Sequence, residues 1–232
     1  MLLCIPELKH HSMKHFFTTR KFSFDETTPF GSKDMFITIN QVHGDDLYII
    51  DKSVEKVTGL KKTAAQTQGD AIITNQRHIG IGVVTADCVP ALIYDPVQAV
   101  IAAVHAGWKG TVKGIMSKVI CQMAYRFNCN VEDIIVGIGP AIGACCYAVS
   151  ETVTEPLKST NPEWVRYLKP DEDGKSKLDL AALNIRQIED AGILSRNIYN
   201  LGLCTSCNKE LFFSYRRDGV GTGRMVSGIM LS

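Results

Sequence analysis

The chain lacks a charge excess of either sign. Its 232 residues carry 25 Lys and Arg against 24 Asp and Glu, a formal net charge of +1. That balance gives no global electrostatic reason for nucleic acid or an anionic membrane surface as a partner. No apolar window approaches the roughly 20 residues a membrane helix needs. The opening segment MLLCIPELKHHSMKHFF makes a poor signal peptide: its apolar run is short, is broken by Pro6, and meets Lys9, His10 and His11 instead of a small-residue cleavage site. A cytoplasmic, soluble protein is expected. Internal repeats and low-complexity stretches are absent, and so is the regular strand–helix alternation of a doubly wound fold. The glycine-bearing stretch GIGPAIGACCYAV (137–149) is no dinucleotide fingerprint, because Pro140 and the glycine spacing break it. A tight turn leaving a strand is the expected role.

What is present is ordinary for a globular chain with a real core: 45% hydrophobic and 21% charged residues. Short β-branched runs bounded by turn residues predict strands at 35–40, 46–51, 71–75, 79–86, 91–95, 99–107 and 134–140. Apolar Ile115, Val119, Met123 and Phe127 recur every four residues and predict a helix from about Thr111 to Phe127. A second helix is expected from Asp179 to Ala191, with Gly192 at its C-terminal cap. A third, over 150–159, opens on Ser150 and meets Pro156. The polar stretch KPDEDGKSK (169–177) reads as a loop. Strands follow one another without a helix from 35 to 107, which argues for an α+β fold: one domain over 1–232, mixed sheets packed together, helices outside.

Eight cysteines in a chain without a secretion signal are expected as reduced thiols. Cys4, Cys121 and Cys129 read as buried small hydrophobes. Cys88 differs, because it directly follows an apolar strand and precedes Pro90. His105 closes the run AVIAAV just before Ala106-Gly107, and His43 follows MFITINQV just before Gly44. All three share one context, a strand end meeting a small residue or turn. Imidazole and thiolate are good zinc ligands, and three protein donors leave a fourth position for water. Structural alternatives stand beside this reading: a buried Cys88, a core His105, a turn-capping His43, or a metal-free Cys–His nucleophile pair.

Two further groups bear on chemistry. CTSC (204–207) is a CxxC, and the adjacent Cys145-Cys146 is the sole nearby candidate for a second pair; two reduced cysteines near the pocket is the favoured reading. Arg216, Arg217 and Arg224 in LFFSYRRDGVGTGR, and Arg20 in FFTTRKF, suit phosphate or carboxylate recognition, with a solvated basic face as the plainer alternative. Asp87, beside Cys88, is a candidate proton carrier or partner of the metal ligands, or a turn residue.

Taken in order, QVHGDD, GDAIIT, TADCVPALIYDP, AAVHAGWKGT, GIGPAIGACCYAV and FFSYRRDGVGTGR resemble the defining segments of the YfiH-like family, also labelled laccase-domain or multicopper polyphenol oxidase, from about residue 35 onward. The resemblance implies an α+β domain in four layers, α/β/β/α. It implies a metal site on His43, Cys88 and His105, holding zinc, with copper as the alternative. It also implies purine nucleosides and phosphate as partners: phosphorolysis of adenosine, inosine and methylthioadenosine, and deamination of adenosine to inosine. Arg20, Asp87 and Arg216 are the substrate-contact candidates. Removal of a misincorporated amino acid from peptidoglycan precursors is the alternative activity, and a metal-stabilised binding protein the non-catalytic one. A laccase mechanism fits worst, since a multicopper oxidase needs many more histidines than the six present. The segment TTRKFSFDETTPFGSKDMFITINQVHG is abridged and lacks the family's glycine-rich turn, so part of the pocket wall is expected to differ.

Overall fold

The computed structural model describes residues 1–8, 12–22, 30, 35–51 and 66–232. Two mixed sheets carry the fold. The first runs in the order β1 (Leu2–Leu3), β2 (Met13–Thr18), β14 (Met225–Leu231), β6 (Ile79–Thr85), β3 (Met35–Ile37). The second runs β13 (Ile198–Asn200), β9 (Ile135–Ile138), β7 (Val89–Asp95), β8 (Val100–Ala106), β5 (Ala71–Thr74), β4 (Leu47–Ile50). Parallel pairs occur only at β3–β6 in the first and at β13–β9 and β4–β5 in the second; the remaining neighbours are antiparallel.

Side-chain alternation along the strands of the second sheet explains their continuous apolar character. Ile72, Leu92, Tyr94, Ile101 and Ala103 cluster with Phe17, Ile81, Val83 and Ile229 of the first sheet. The intervening residues Ala71, Ile73, Ala91, Ile93, Ala102 and Val104 cluster instead with Ile115, Met116, Val119 and Leu183 of the helices. Both faces of the second sheet are thus buried, and the two sets meet different layers. Beyond the first sheet, Phe16, Phe30 and Met230 form a small cluster with Phe36. Gly80, Gly82 and Gly228 make room for these rings, since a Cβ on any of them would stand within 2.3 to 2.6 Å of a phenyl carbon. The expected α+β architecture is found: mixed sheets packed together with helices outside.

All seven expected strands are present, each within a few residues of its expected bounds. The expected first helix is two, α1 (Trp108–Val112) and α2 (Ile115–Phe127), because Gly114 takes a left-handed φ of 75° between them. α3 (Glu151–Thr160) contains Pro156, and the Ser150 side chain before it makes no capping bond. α4 (Leu180–Asp190) opens on Asp179, whose carboxylate accepts from Ala182 N at 2.9 Å. The stretch 169–177 corrects the expected loop: β11 (Leu168–Pro170) and β12 (Ser176–Leu178) pair across it and, with β10 (Ala148–Val149), form a third sheet. The strands are too short and polar to announce themselves by alternation. Cys4 and Cys121 are exposed and only Cys129 is buried; Cys121 falls off the buried stripe of α2 at Ile115, Met116, Val119, Ile120 and Met123. The abridged stretch before QVHG falls largely on residues 23–29 and 31–34, outside the described residues.

Candidate metal centre

His43 lies in the turn QVHG, and Asp70, one residue before β5, shapes that turn. Its carboxylate accepts from three consecutive backbone N–H groups: Val42 at 3.3 Å, His43 at 3.0 Å and Gly44 at 2.6 Å. Such a run of donors wraps an anion and holds His43 at a left-handed φ of 57°, uncommon for a residue with a Cβ. The same carboxylate meets His105 Nδ1 at 2.7 Å, with both residues buried. With that nitrogen turned to Asp70, Nε2 of His105 remains as the ligand atom. The two imidazoles stand nearly edge to face, 4.8 Å between ring centres.

Cys88 completes the group. It leaves the turn between β6 and β7 and faces His105 at the end of β8. The ligand atoms of His43, Cys88 and His105 lie within 4.8 Å of one another. Burial opposes the Cys88 thiolate, but hydrogen bonds and charge from His105 and His43 outweigh it and bring the thiol down to about 7. Burial likewise opposes a charged His105, yet its bonds to Asp70 and Cys88 raise it to about 9. Asp70, also working against burial, is held below the usual carboxylate range by His105 and by the N–H groups of Gly44 and Val42.

A site that ionises its thiol and gathers two imidazoles around it has the donors a divalent zinc-like cation takes. Gly107 confirms that the space is kept open: a Cβ there would lie 3.1 Å from Cys88 Sγ and 3.3 Å from His43 Nδ1. These residues therefore fit the metal that the sequence resemblance implies.

The three residues line a cavity of about 740 Å³, within the range that takes a small molecule. Asp87 borders it at a φ of 94°. Its buried carboxylate accepts from Thr205 Oγ1 and from Arg216 N, each at 2.6 Å, so it ties the α5 (Tyr215–Asp218) segment to the Cys88 turn. Arg216 also lines the cavity, its guanidinium 5.0 Å from the centre of the Tyr147 ring and donating to Ala148 O. Arg20 is not brought to the site. It is exposed, donates to Lys209 O at 2.7 Å and lies over the Phe213 ring at 5.0 Å. Arg217 holds a loop, donating to Thr205 O, Ser206 O and Phe212 O.

Three contributors are additions to the sequence-based set. Asp70 is foremost; in the sequence GDAIIT it is only an acid ahead of a strand, with nothing to mark its partners. Gln41 fixes the entry to the turn by bonding Val84 N and Val84 O at 2.7 and 2.8 Å. Lys109 borders the cavity and, with Arg216 and Arg224, both already candidates from the sequence, gives it three cationic side chains.

Two packed mixed sheets thus carry a cluster of three candidate metal donors. The chain belongs to the multi-copper polyphenol oxidoreductase laccase family, whose profile matches residues 19–232. It is 37% identical over 166 residues to the mouse (Mus musculus) purine nucleoside phosphorylase LACC1, covering 70% of this chain and 38% of that protein. The chain thus spans well under half of that relative. It is 36% identical to the purine nucleoside phosphorylase YlmD of Geobacillus stearothermophilus, over 84% of this chain and 72% of that one. An adenosine deaminase RL5 from an unidentified prokaryote is 33% identical over 84% of this chain and 75% of its own length. Among solved structures, YfiH of Bacillus licheniformis superposes with a TM-score of 0.84 at 29% identity, covering 95% of this chain and 93% of that one. The mouse, Geobacillus and RL5 relatives are named for enzymatic activities on purine nucleosides.

Proposed function

We propose that the chain is a metal-dependent purine nucleoside enzyme that works at His43, Cys88 and His105. Its principal reaction is phosphorolysis of adenosine, inosine and methylthioadenosine, with deamination of adenosine to inosine as a second activity. One observation carries this reading: a single cavity presents both the donor triad and the cationic Lys109, Arg216 and Arg224. A neutral substrate alone would not call for three cations, whereas an oxyanion co-substrate does.

Zinc, the metal best suited to two imidazoles and a thiolate with one position open, supplies a Lewis acid and a water that ionises near neutral pH. The chain's own residues do the rest. Arg216, Arg224 and Lys109 hold phosphate. Trp108 and Tyr147 offer aromatic faces to a purine. In phosphorolysis a phosphate oxygen bonds to C1′ of the ribose as the C1′–N9 bond breaks. The bonding pair leaves with the purine, which then takes a proton. In deamination a water oxygen bonds to C6 of adenine, and the amino nitrogen departs as ammonia. Multicopper oxidase chemistry is disfavoured by the donor set: among the described residues, the candidate metal groups contain two histidines in all, His43 and His105.

The test is chromatography of products after incubating metal-loaded protein with adenosine, with and without phosphate. Adenine formed only with phosphate is the expected result, with inosine in both mixtures marking deamination. Intact adenosine in both, with the triad metal confirmed bound, would overturn the proposal.

A further inference from the structure

A second group of metal-competent side chains lies outside that triad. Cys145 and Cys146 sit in the turn after β9, and Cys204 and Cys207 in the turn after β13. The Sγ atoms of all four lie within 4.8 Å of one another, with Cys207 3.5 Å from Cys145 and 3.4 Å from Cys146. All four are free thiols. We propose that Cys145, Cys146, Cys204 and Cys207 form a second metal site, a tetrathiolate that takes one zinc ion and clamps the wall of the catalytic cavity.

The geometry favours one ion. Four sulfurs at about 2.3 Å from zinc form a tetrahedron with edges of about 3.8 Å, close to the separations found. An iron–sulfur cluster spreads its four thiolates over two or more irons and so sets some of them further apart. A disulfide needs sulfurs at about 2.05 Å, well inside the distances seen. The donors are sulfur alone, which selects a thiophilic ion over magnesium or calcium.

The backbone around the cluster accommodates the sulfurs. Cys204 Sγ accepts from Gly143 N at 3.3 Å. Gly143 also keeps the space open, since a Cβ there would lie 3.3 Å from Cys145 Sγ and 3.5 Å from Cys204 Sγ. The two turns already touch through backbone, with Ala141 N donating to Leu203 O at 3.2 Å and Thr205 N to Ala141 O at 3.0 Å.

The position gives the clamp a consequence. Ile142 and Tyr147 flank the first cysteine pair and line the catalytic cavity. Thr205 sits between the second pair and donates to Asp87, next to the triad ligand Cys88. An ion joining the two turns therefore fixes one wall of the cavity and the Asp87 tether together.

The experiment measures metal on the whole chain, purified without chelator. Elemental analysis is expected to find one zinc ion in Cys88→Ala, which has lost a triad ligand, and to find one fewer in Cys145→Ser/Cys207→Ser than in the parent protein. Equal zinc in the double variant and the parent would overturn the proposal. Should the double variant not fold, cobalt titration of Cys88→Ala decides. That protein has no triad thiolate, so intense sulfur-to-cobalt charge-transfer bands must arise from the four cysteines. Their absence sinks the site, as does an intact mass showing the hydrogens lost to disulfides in place of bound metal. Because the readout is bound metal and not turnover, failure here leaves the nucleoside reading standing.

Discussion

Asp70 is not among the residues that line the cavity, yet it joins the two histidines of the triad. One carboxylate holds three N–H donors of the His43 turn and the imidazole of His105. Replacing it by alanine leaves four buried or half-buried donors without their acceptor. Asp70→Ala is expected to weaken metal binding by about 10–100-fold, the usual effect of removing a ligand's hydrogen-bonded carboxylate, measured by competition against a chelator. Undiminished affinity would show that the triad is held by packing alone. The group also sets an acid limit. Its folded-state pKa is lowered, so its contribution to stability is fully present above the unfolded value of about 3.9 and is lost as pH falls through the lower folded value. Metal-free protein should lose thermal stability below about pH 4, and Asp70→Ala should lose less over the same interval. The three candidate donors that the structure brings together, His43, Cys88 and His105, were legible because each closes an apolar run. Asp70 was not, since an acid before a strand looks like any turn residue until its partners are known. Arg20, a candidate because a guanidinium fork suits phosphate or carboxylate, is not among the residues lining the cavity, and Phe213 takes its face.

At the scale of elements, the site depends on how closely α1 approaches the His43 turn. A Cβ on Gly110 would stand 2.6 Å from the backbone oxygen of Gly44, and backbone cannot step aside as a flexible side-chain end can. Gly110→Ala must therefore part α1 from the turn that carries His43. We expect a loss of about 1–3 kcal/mol of stability together with weakened metal binding, read by denaturant unfolding and metal competition on the same samples. Gly114→Ala is the matching control: its left-handed φ makes alanine strained, but its Cβ would meet nothing within 4 Å, so stability should fall with metal affinity unchanged. If both variants bind metal equally, the contact at Gly110 does not position His43. The helix break at Gly114 illustrates what periodicity misses. The four-residue spacing survives through α2, and only the glycine's backbone reports that the axis changes before it. The hairpin of β11 and β12 was hidden more thoroughly, because three-residue polar strands carry no alternation to read.

For the molecule as a whole, the strand that binds the first sheet together comes from the chain's C-terminal end. β14 lies between β2 and β6 and pairs antiparallel with both, Ser227 opposite Phe17 on one side and Val83 on the other. Sequence pattern alone did not announce it, for Ser227 and Gly228 interrupt its apolar run, and Gly228 is required because a Cβ there would lie 2.6 Å from the Phe16 ring. The seven strands that were legible belong mostly to the other sheet, where both faces are apolar. Deleting residues 225–232 removes Met225, Ile229, Met230 and Leu231, all buried, and leaves β2 and β6 each without a partner along one edge. Fully burying such side chains contributes about 1.5–3 kcal/mol apiece, so their combined loss rivals the whole stability of a typical domain, about 5–15 kcal/mol. The truncated chain is expected to show no cooperative thermal transition by circular dichroism. Its metal content at the triad should fall as well, because Thr85, which pairs with Met225, leads directly into Asp87 and Cys88. A truncated protein that melts cooperatively and keeps its metal would mean that the second sheet and its helices form the site without the first.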